Sequence, residues 1–200
     1  GEFFFKSKDN NGKPVEMRRY SGKESIIEEC ENSLKRLKTD YLDLLQIHWP
    51  DHSTPISESM EAMEKLIKDG KIRAAGVSNF SKQDVKEANH KTMVASNQLP
   101  FSMVEQKIEN NGTKQFCQEK NIGVIAYSPL QRGILTGKMT PDWEFDEDDH
   151  RPNTKHYKEP NFTEIIQFVE KLRPIAEERL VTIPQLVLNW TMDYPGIKAV

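Results

Sequence analysis

Residues 41–49 read YLDLLQIHW, and Pro50 ends the run. Five to nine apolar-rich residues closed by a proline, which removes a backbone donor, fit a short buried strand. Working outward, Ser25 to Lys38 puts Ile26, Ile27, Cys30, Leu34 and Leu37 on one helical face, and Ser25-x-x-Glu28 has the form of a capping box. Ser57 to Asp69 does the same with Met60, Met63, Leu66 and Ile67, and Gly70 stands where such a helix stops. The alternation then repeats. KIRAAGV (71–77) is strand-like, and Ser81-x-x-Asp84 opens a helix. MVASNQ (93–98) is the next strand, followed by a helix over Gly112 to Lys120, a turn at Asn121-Ile122-Gly123 and a strand from Val124 to Tyr127. A polar insertion occupies about Met139 to Asn161. Phe162 to Leu180 is helical, with Pro174 expected to bend or split it. Thr182-x-x-Gln185 caps a last helix ending near Asp193, and GIKAV (196–200) is again strand-like.

Short apolar strands alternating with helices predict an α/β fold on a parallel sheet. An open doubly wound sheet and a closed (β/α)8 barrel both satisfy that pattern. No G-x-G-x-x-G follows any strand, so the open dinucleotide-binding sheet lacks its marker. The polar residues His48, Asn79, Gln98 and Tyr127 close four successive strands. A barrel would gather all four around one mouth, where such folds build their sites. Five clear strands and a half-strand at Glu2 to Phe5 are fewer than eight, so the expected architecture is an incomplete barrel, one partial domain over residues 1–200.

Composition narrows the partners. A net charge of -3 argues against phosphate-driven nucleic-acid binding. No run approaches the roughly 18 apolar residues of a membrane span, and GEFFFKSKD lacks the form of a secretory signal, so the expected location is cytoplasmic. Cys30 and Cys117 have no companions at zinc-ligand spacing and read as buried thiols. His48 and His52 are four apart, but Pro50 between them breaks helical spacing, so no metal site is expected. The acidic block Glu144 to Asp149 reads as a solvated loop.

Several stretches resemble the aldo-keto reductase family: ENSLKRLKTDYLDLLQIHWPD (31–51), GKIRAAGVSNF (70–80), SNQ (96–98), AYSPLQRGILTGK (126–138) and NWTMDYPGIKAV (189–200). They fall in family order across nearly the whole chain, and the nearest flavour is the bacterial general-stress type. The resemblance implies NADPH-dependent reduction of aldehydes and ketones. A tyrosine, a lysine, an aspartate and a histidine do that chemistry in the family, and here only the histidine is securely present, as His48. The aspartate and tyrosine fall before residue 1, and the lysine is either Lys6 or, as favoured, a residue upstream of it. The isolated 200 residues are therefore expected to be inactive.

Each motif residue has a plainer reading beside the one the resemblance implies. His48 alone fits a core histidine; within QIHWPD it is the group whose imidazole N–H polarises a substrate carbonyl. Trp49 follows it and is expected to line the substrate pocket. The plainer reading of Ser78 and Asn79 is the start of a helix, a role Ser81 fills better; by resemblance they and Gln98 bind the nicotinamide carboxamide, for which amide side chains supply both donor and acceptor. Tyr127 is either a strand-end aromatic or the surface on which the nicotinamide ring stacks. Ser128, Leu130 and Arg132, in the loop SPLQRG, are the implied pyrophosphate contacts, with Lys138 either a further phosphate contact or a solvated surface lysine. The implied cofactor is NADP(H) and the partner a small carbonyl compound, without nucleic acid or membrane; the oligomeric state is not readable. A non-catalytic NADPH-binding barrel subunit that regulates another protein is the alternative, and the insertion reads either as a polar surface loop or as a cover for the site.

Overall fold

Parallel strands cannot be joined by tight turns, so each pair requires a crossover, and the helical segments read from the sequence supply them. The computed structural model describes residues 2–8 and 12–200, with side chains for 12–15 and 19–200. In chain order the elements are β1 (Glu2–Lys8), β2 (Pro14–Arg19), α1 (Lys23–Leu37), β3 (Leu42–Ile47), α2 (Ile56–Lys68), β4 (Ile72–Ser78), α3 (Lys82–Lys91) and β5 (Val94–Pro100). There follow α4 (Lys107–Asn110), α5 (Thr113–Glu119), β6 (Gly123–Tyr127), α6 (Asn161–Glu178), α7 (Ile183–Asp193) and β7 (Ile197–Ala199). Strands β3 to β7 form one sheet in chain order, the arrangement a succession of βα units produces. Among the described residues no helix is long and apolar enough to cross a membrane.

The chain divides into two compact units. The first comprises Gly1–Leu99 and Asn111–Val124. In it β3 and β4 run parallel with Ile47 opposite Val77, and β4 and β5 run parallel with Gly76 opposite Ser96 and Ser78 opposite Gln98. Helix α2 packs on β4, α1 and α3, burying Met60, Met63 and Leu66 with Ala75, Val77, Val85 and Ala88. The second unit comprises Pro100–Asn110 and Ile125–Val200. Its core joins Ile134, Leu135 and Met139 to Phe162, Ile165, Ile166 and Val169 of α6 and to Ile183 and Val187 of α7.

Several expectations are corrected. The N-terminal half-strand does not stand alone: β1 pairs antiparallel with β2, a strand the sequence reading passed over, in a separate two-stranded sheet. Lys6 falls within β1, and its side chain lies outside the described residues. Helix α1 begins at Lys23 with Gly22 as an uncapped N-cap, so Ser25 sits inside the first turn and its capping box does not operate. A tertiary acceptor replaces it, since the Lys23 amide donates to Glu58 of α2 at 3.2 Å. Pro174 does not split α6, which continues to Glu178; the carbonyl deprived of its donor belongs to exposed Glu170, where water can serve it. The capping boxes at Ser81/Asp84 and Thr182/Gln185 are both formed, and Gly70 ends α2's turn at φ +71°.

Two local features set the strand ends. Gly76 is where β4 passes closest to its neighbours: a Cβ there would stand 2.5 Å from Ser96 Oγ and 2.9 Å from Gln46 Cγ. Past β3, buried Asp51 ties the loop back to the start of α1. Its Oδ2 accepts from the Ser21 amide (3.0 Å) and Thr54 Oγ1 (2.7 Å), and its Oδ1 from the Ser53 amide (2.9 Å) and Ser53 Oγ (2.5 Å). Ser21 is held in turn by Ser59 Oγ on its carbonyl at 2.7 Å. Burial pushes the Asp51 carboxyl up, but the donors from Ser53, Thr54 and Ser21 outweigh it and hold it at about 2.

Both features are testable by denaturant unfolding. Gly76→Val should cost about 2–3 kcal/mol, since both neighbouring strands must yield; an unchanged urea midpoint would contradict the close approach. Unfolded Asp titrates near 4, so Asp51's contribution of about 2 kcal/mol is complete above that pH and is lost as pH falls through about 2. Asp51→Asn should lower stability at neutral pH by about that amount and flatten the acid limb of the stability curve. A variant with the same acid limb as the parent would refute the assignment.

Candidate functional site

Three of the strand-end residues singled out by the sequence meet in the first unit. Ser78 is the last residue of β4, and Asn79 leaves the strand with left-handed backbone, φ 61°. The Asn79 amide donates to Gln98 O at 2.9 Å, and Ser78 Oγ donates to the same carbonyl at 3.0 Å. The Asn79 side chain reaches the other way: its Nδ2 donates to His48 O at 2.9 Å and to Ser78 Oγ at 3.1 Å. The ends of β3, β4 and β5 are thus cross-linked through one asparagine. Ser78 is buried, Asn79 and Gln98 are half-buried, and His48 is exposed.

His48 and Trp49 line a cavity of about 450 Å3 together with Arg19, Tyr20, Cys30, Gln46 and Met63. The two rings sit 6.1 Å apart, and the Arg19 guanidinium lies over the Trp49 ring at 4.3 Å. Cys30 and Cys117 are free buried thiols; burial pushes Cys30 up and Cys117 up to about 11, so both are held as neutral thiols at neutral pH. Among the described residues no group of His, Cys, Asp and Glu is arranged to hold a metal ion.

Tyr127, Ser128, Leu130 and Arg132 belong to the second unit. Tyr127 ends β6, and its carbonyl accepts from the Phe101 amide at 3.2 Å. Burial raises its phenol, with Arg132 partly opposing. The loop then folds tightly, the Gln131 amide on Ser128 O (2.8 Å) and the Gly133 amide on Leu130 O (2.9 Å). Leu130 packs against the unit's core, whereas the Arg132 side chain is exposed, as is Lys138.

Backbone strain falls on the same places. Among the described residues seven other than glycine have positive φ. Lys38, Asn121 and Leu180 lie at or just past the ends of α1, α5 and α6, where left-handed residues are routine. The other four are Asn79, Ser128, Gln131 and Arg132. None ends a helix, and all follow the C-terminal ends of β4 and β6. Such conformations cost about 1–3 kcal/mol each, persist only where the surrounding structure holds them, and cluster at ligand-binding and active sites.

Sequence reasoning missed four supporting residues. Asp51 was legible, because Asp-x-Ser-Thr is the pattern of a side chain accepting from its own loop. Fully buried Asn97, beside Gln98, donates from Nδ2 to Phe80 O at 3.0 Å and so steadies the Ser78–Phe80 segment. His156 and Tyr157 are buried inside the polar insertion, where no apolar period announces them.

The model of the aldo/keto reductase family matches residues 4–200. The chain is 38% identical over 179 residues to aldo-keto reductase YhdN of Bacillus subtilis, covering 89% of this chain and 54% of that protein. It is 34% identical over 177 residues to aldo-keto reductase yakc of Schizosaccharomyces pombe, named for NADP(+), and 33% identical over 172 residues to an NADH-specific methylglyoxal reductase of Escherichia coli. Each of these two alignments covers 84% of this chain and 52% of the relative. The solved structure of a glycerol dehydrogenase, AKR11B4 from Gluconobacter oxydans, superposes with a TM-score of 0.90 at 35% identity, covering 98% of this chain and 59% of its own. A thermostable aldo-keto reductase, Tm1743, gives 0.70 at 29% identity, covering 90% of this chain and 56% of its own. These neighbours are (β/α)8 barrels, and the chain carries part of that fold; it spans about half the length of the curated relatives it matches. With its strands in βα order and its strained residues at strand ends, this chain belongs to the aldo/keto reductase family.

Proposed function

We propose that the protein carrying this chain reduces aldehydes or ketones to alcohols with a nicotinamide dinucleotide, His48 orienting the substrate carbonyl. The observation that carries the reading is the junction at Asn79, which fixes His48, Ser78 and Gln98 at neighbouring strand ends.

The residues present fit such a cofactor. Non-glycine backbone is held left-handed at Asn79 and at Ser128, Gln131 and Arg132, a kind of strain that clusters at binding sites. Both Nδ2 hydrogens of Asn79 are directed to His48 O and Ser78 Oγ, so the orientation of its amide beside the strand ends is set. Gln98, half-buried and two residues before the end of β5, which runs on to Pro100 and is not closed by Gln98 as expected, supplies a second amide. Tyr127 provides the flat surface for the nicotinamide ring, and Ser128, Leu130 and Arg132 form the turn for the pyrophosphate. When bound, the reduced dinucleotide supplies the hydride. The His48 imidazole N–H donates to the carbonyl oxygen, drawing charge toward the atom that must be protonated, and Trp49 walls the adjoining cavity.

The cofactor of this reading is NADP(H), and the substrate is a small carbonyl compound. One relative is named for NADP(+) and another as NADH-specific, so the choice is decided by titrating both dinucleotides.

With the full-length protein, His48→Ala should lower kcat/KM for a small aldehyde by about 100-fold or more while the dinucleotide Kd stays within a few-fold. Asn79→Asp keeps the left-handed turn tolerable but removes the donor to His48 O and Ser78 Oγ; it should weaken dinucleotide binding about tenfold. Steady-state kinetics and nicotinamide-fluorescence titration read the two effects. A full-length protein that oxidises neither NADPH nor NADH with any aldehyde would sink the proposal.

A further inference from the structure

The polar segment after Lys138 returns three side chains to the turn that follows β6. Tyr157 Oη lies 3.0 Å from Gln131 O and 2.9 Å from Arg132 O. His156 Nδ1 is 2.8 Å from Gln131 Nε2, and His156 Nε2 is 3.2 Å from Val104 O. An amide NH2 only donates and a carbonyl only accepts, so these partners assign an imidazole that accepts at Nδ1 and carries its hydrogen on Nε2. Arg151, held by the Asp149 carboxylate at 2.6–3.0 Å, reaches Arg132 O with Nη1 at 3.5 Å. Tyr157 and His156 are only 6% and 8% exposed, and the Tyr157 ring stacks on Phe162 with Phe145 against its edge.

The turn so gripped is one that the chain would not adopt unaided. Gln131 and Arg132 are consecutive left-handed residues, φ 44° and 56°, and both carry a Cβ. In a trans peptide the N–H points opposite to the C=O. Holding Gln131 O against the buried Tyr157 hydroxyl therefore turns the Arg132 amide away from that hydroxyl, and the Arg132 side chain is exposed. An amide directed away from the core and an exposed guanidinium on the same residue are groups suited to an oxyanion.

We propose that Tyr157 and His156 are positioning residues for the pyrophosphate of a bound dinucleotide, acting by locking the Gln131–Arg132 turn from behind. The inference rests on the nicotinamide reading above and adds to it the residues that make its phosphate turn rigid. It gives the insertion a purpose: the segment is folded by Tyr157, Phe145 and Phe162 so that its polar atoms meet the turn's carbonyls.

The test uses the full-length protein and titrations with NADPH and NADH. Tyr157→Phe preserves the ring packing and removes only the hydroxyl. It should weaken binding of the preferred dinucleotide five- to tenfold, raise the KM for it in proportion, and leave kcat at saturation within twofold and the melting temperature within a few degrees. His156→Leu should weaken binding in the same way. His156→Asn should recover most of it, because Asn Oδ1 can stand where Nδ1 accepts from Gln131. A Tyr157→Phe protein that binds within twofold of the parent overturns the proposal, as does a failure of His156→Asn to improve on His156→Leu. Equal losses of affinity, turnover and thermal stability would mean that the two residues only hold the unit together, and that also overturns it. A parent protein that binds neither dinucleotide brings down the nicotinamide reading itself, and the clamp with it; a parent that binds beside unaltered variants brings down the clamp alone.

Discussion

The carbonyl of Gln98 accepts two hydrogen bonds from across the sheet, one from the Asn79 amide and one from the Ser78 hydroxyl. The first is the last bond of the β4–β5 ladder, and the second adds a side-chain donor to it. They form at the point where β4 stops being a strand, and they keep its departing residue beside its neighbour. Asn79 adds a bond to His48 O on the opposite side, so the backbone at three strand ends is held by one residue. The left-handed φ of Asn79 is what lets amide and side chain serve both neighbours at once. Asparagine tolerates that conformation better than most residues with a Cβ, and its side chain has the donors to use there.

The upstream sheet has to permit this arrangement. Gly76, two residues before Ser78, has no room for a side chain between Gln46 and Ser96. Close approach at that level keeps β3, β4 and β5 in register up to their ends, with Ile47 opposite Val77 and Ser78 opposite Gln98. A side chain at position 76 would act at a distance on the site, by disturbing the register that aligns Ser78 with Gln98.

The alternation of helix and strand was legible because both periods were carried by large apolar residues. Met60, Met63 and Leu66 of α2 are fully buried, as their spacing requires. Local chemistry was legible where side chain and backbone lie three residues apart, as in the boxes at Ser81 and Thr182. It misled at Ser25, because the donor at the start of α1 is satisfied by Glu58, 35 residues away, and no local pattern records that. The β1–β2 hairpin was missed for a related reason, since PVEMRR carries few apolar residues and is defined by its partner more than by its own period. At the site, the residues closing strands could be named from the sequence, because strand ends follow from the strands. The residues that brace them could not, with the exception of Asp51, whose acceptor role is local to its loop.

Bracing is the common thread between the two units. In the first, a buried carboxylate, Asp51, collects four donors and fixes the loop that follows His48. In the second, a buried hydroxyl, Tyr157, gathers two carbonyls and fixes the turn that follows Tyr127. The chemical sign differs because the exposed requirement differs. Beside His48 the loop's orphan groups are amides and hydroxyls, so an anion satisfies them. At Gln131 and Arg132 the inward groups are carbonyls, so a donor is required, and placing donors inside leaves amide and guanidinium outside for an anion. The polarity of each buried brace is therefore the inverse of the loop groups it meets. That rule explains why a polar insertion with no hydrophobic period nevertheless contributes two of the unit's most buried polar side chains.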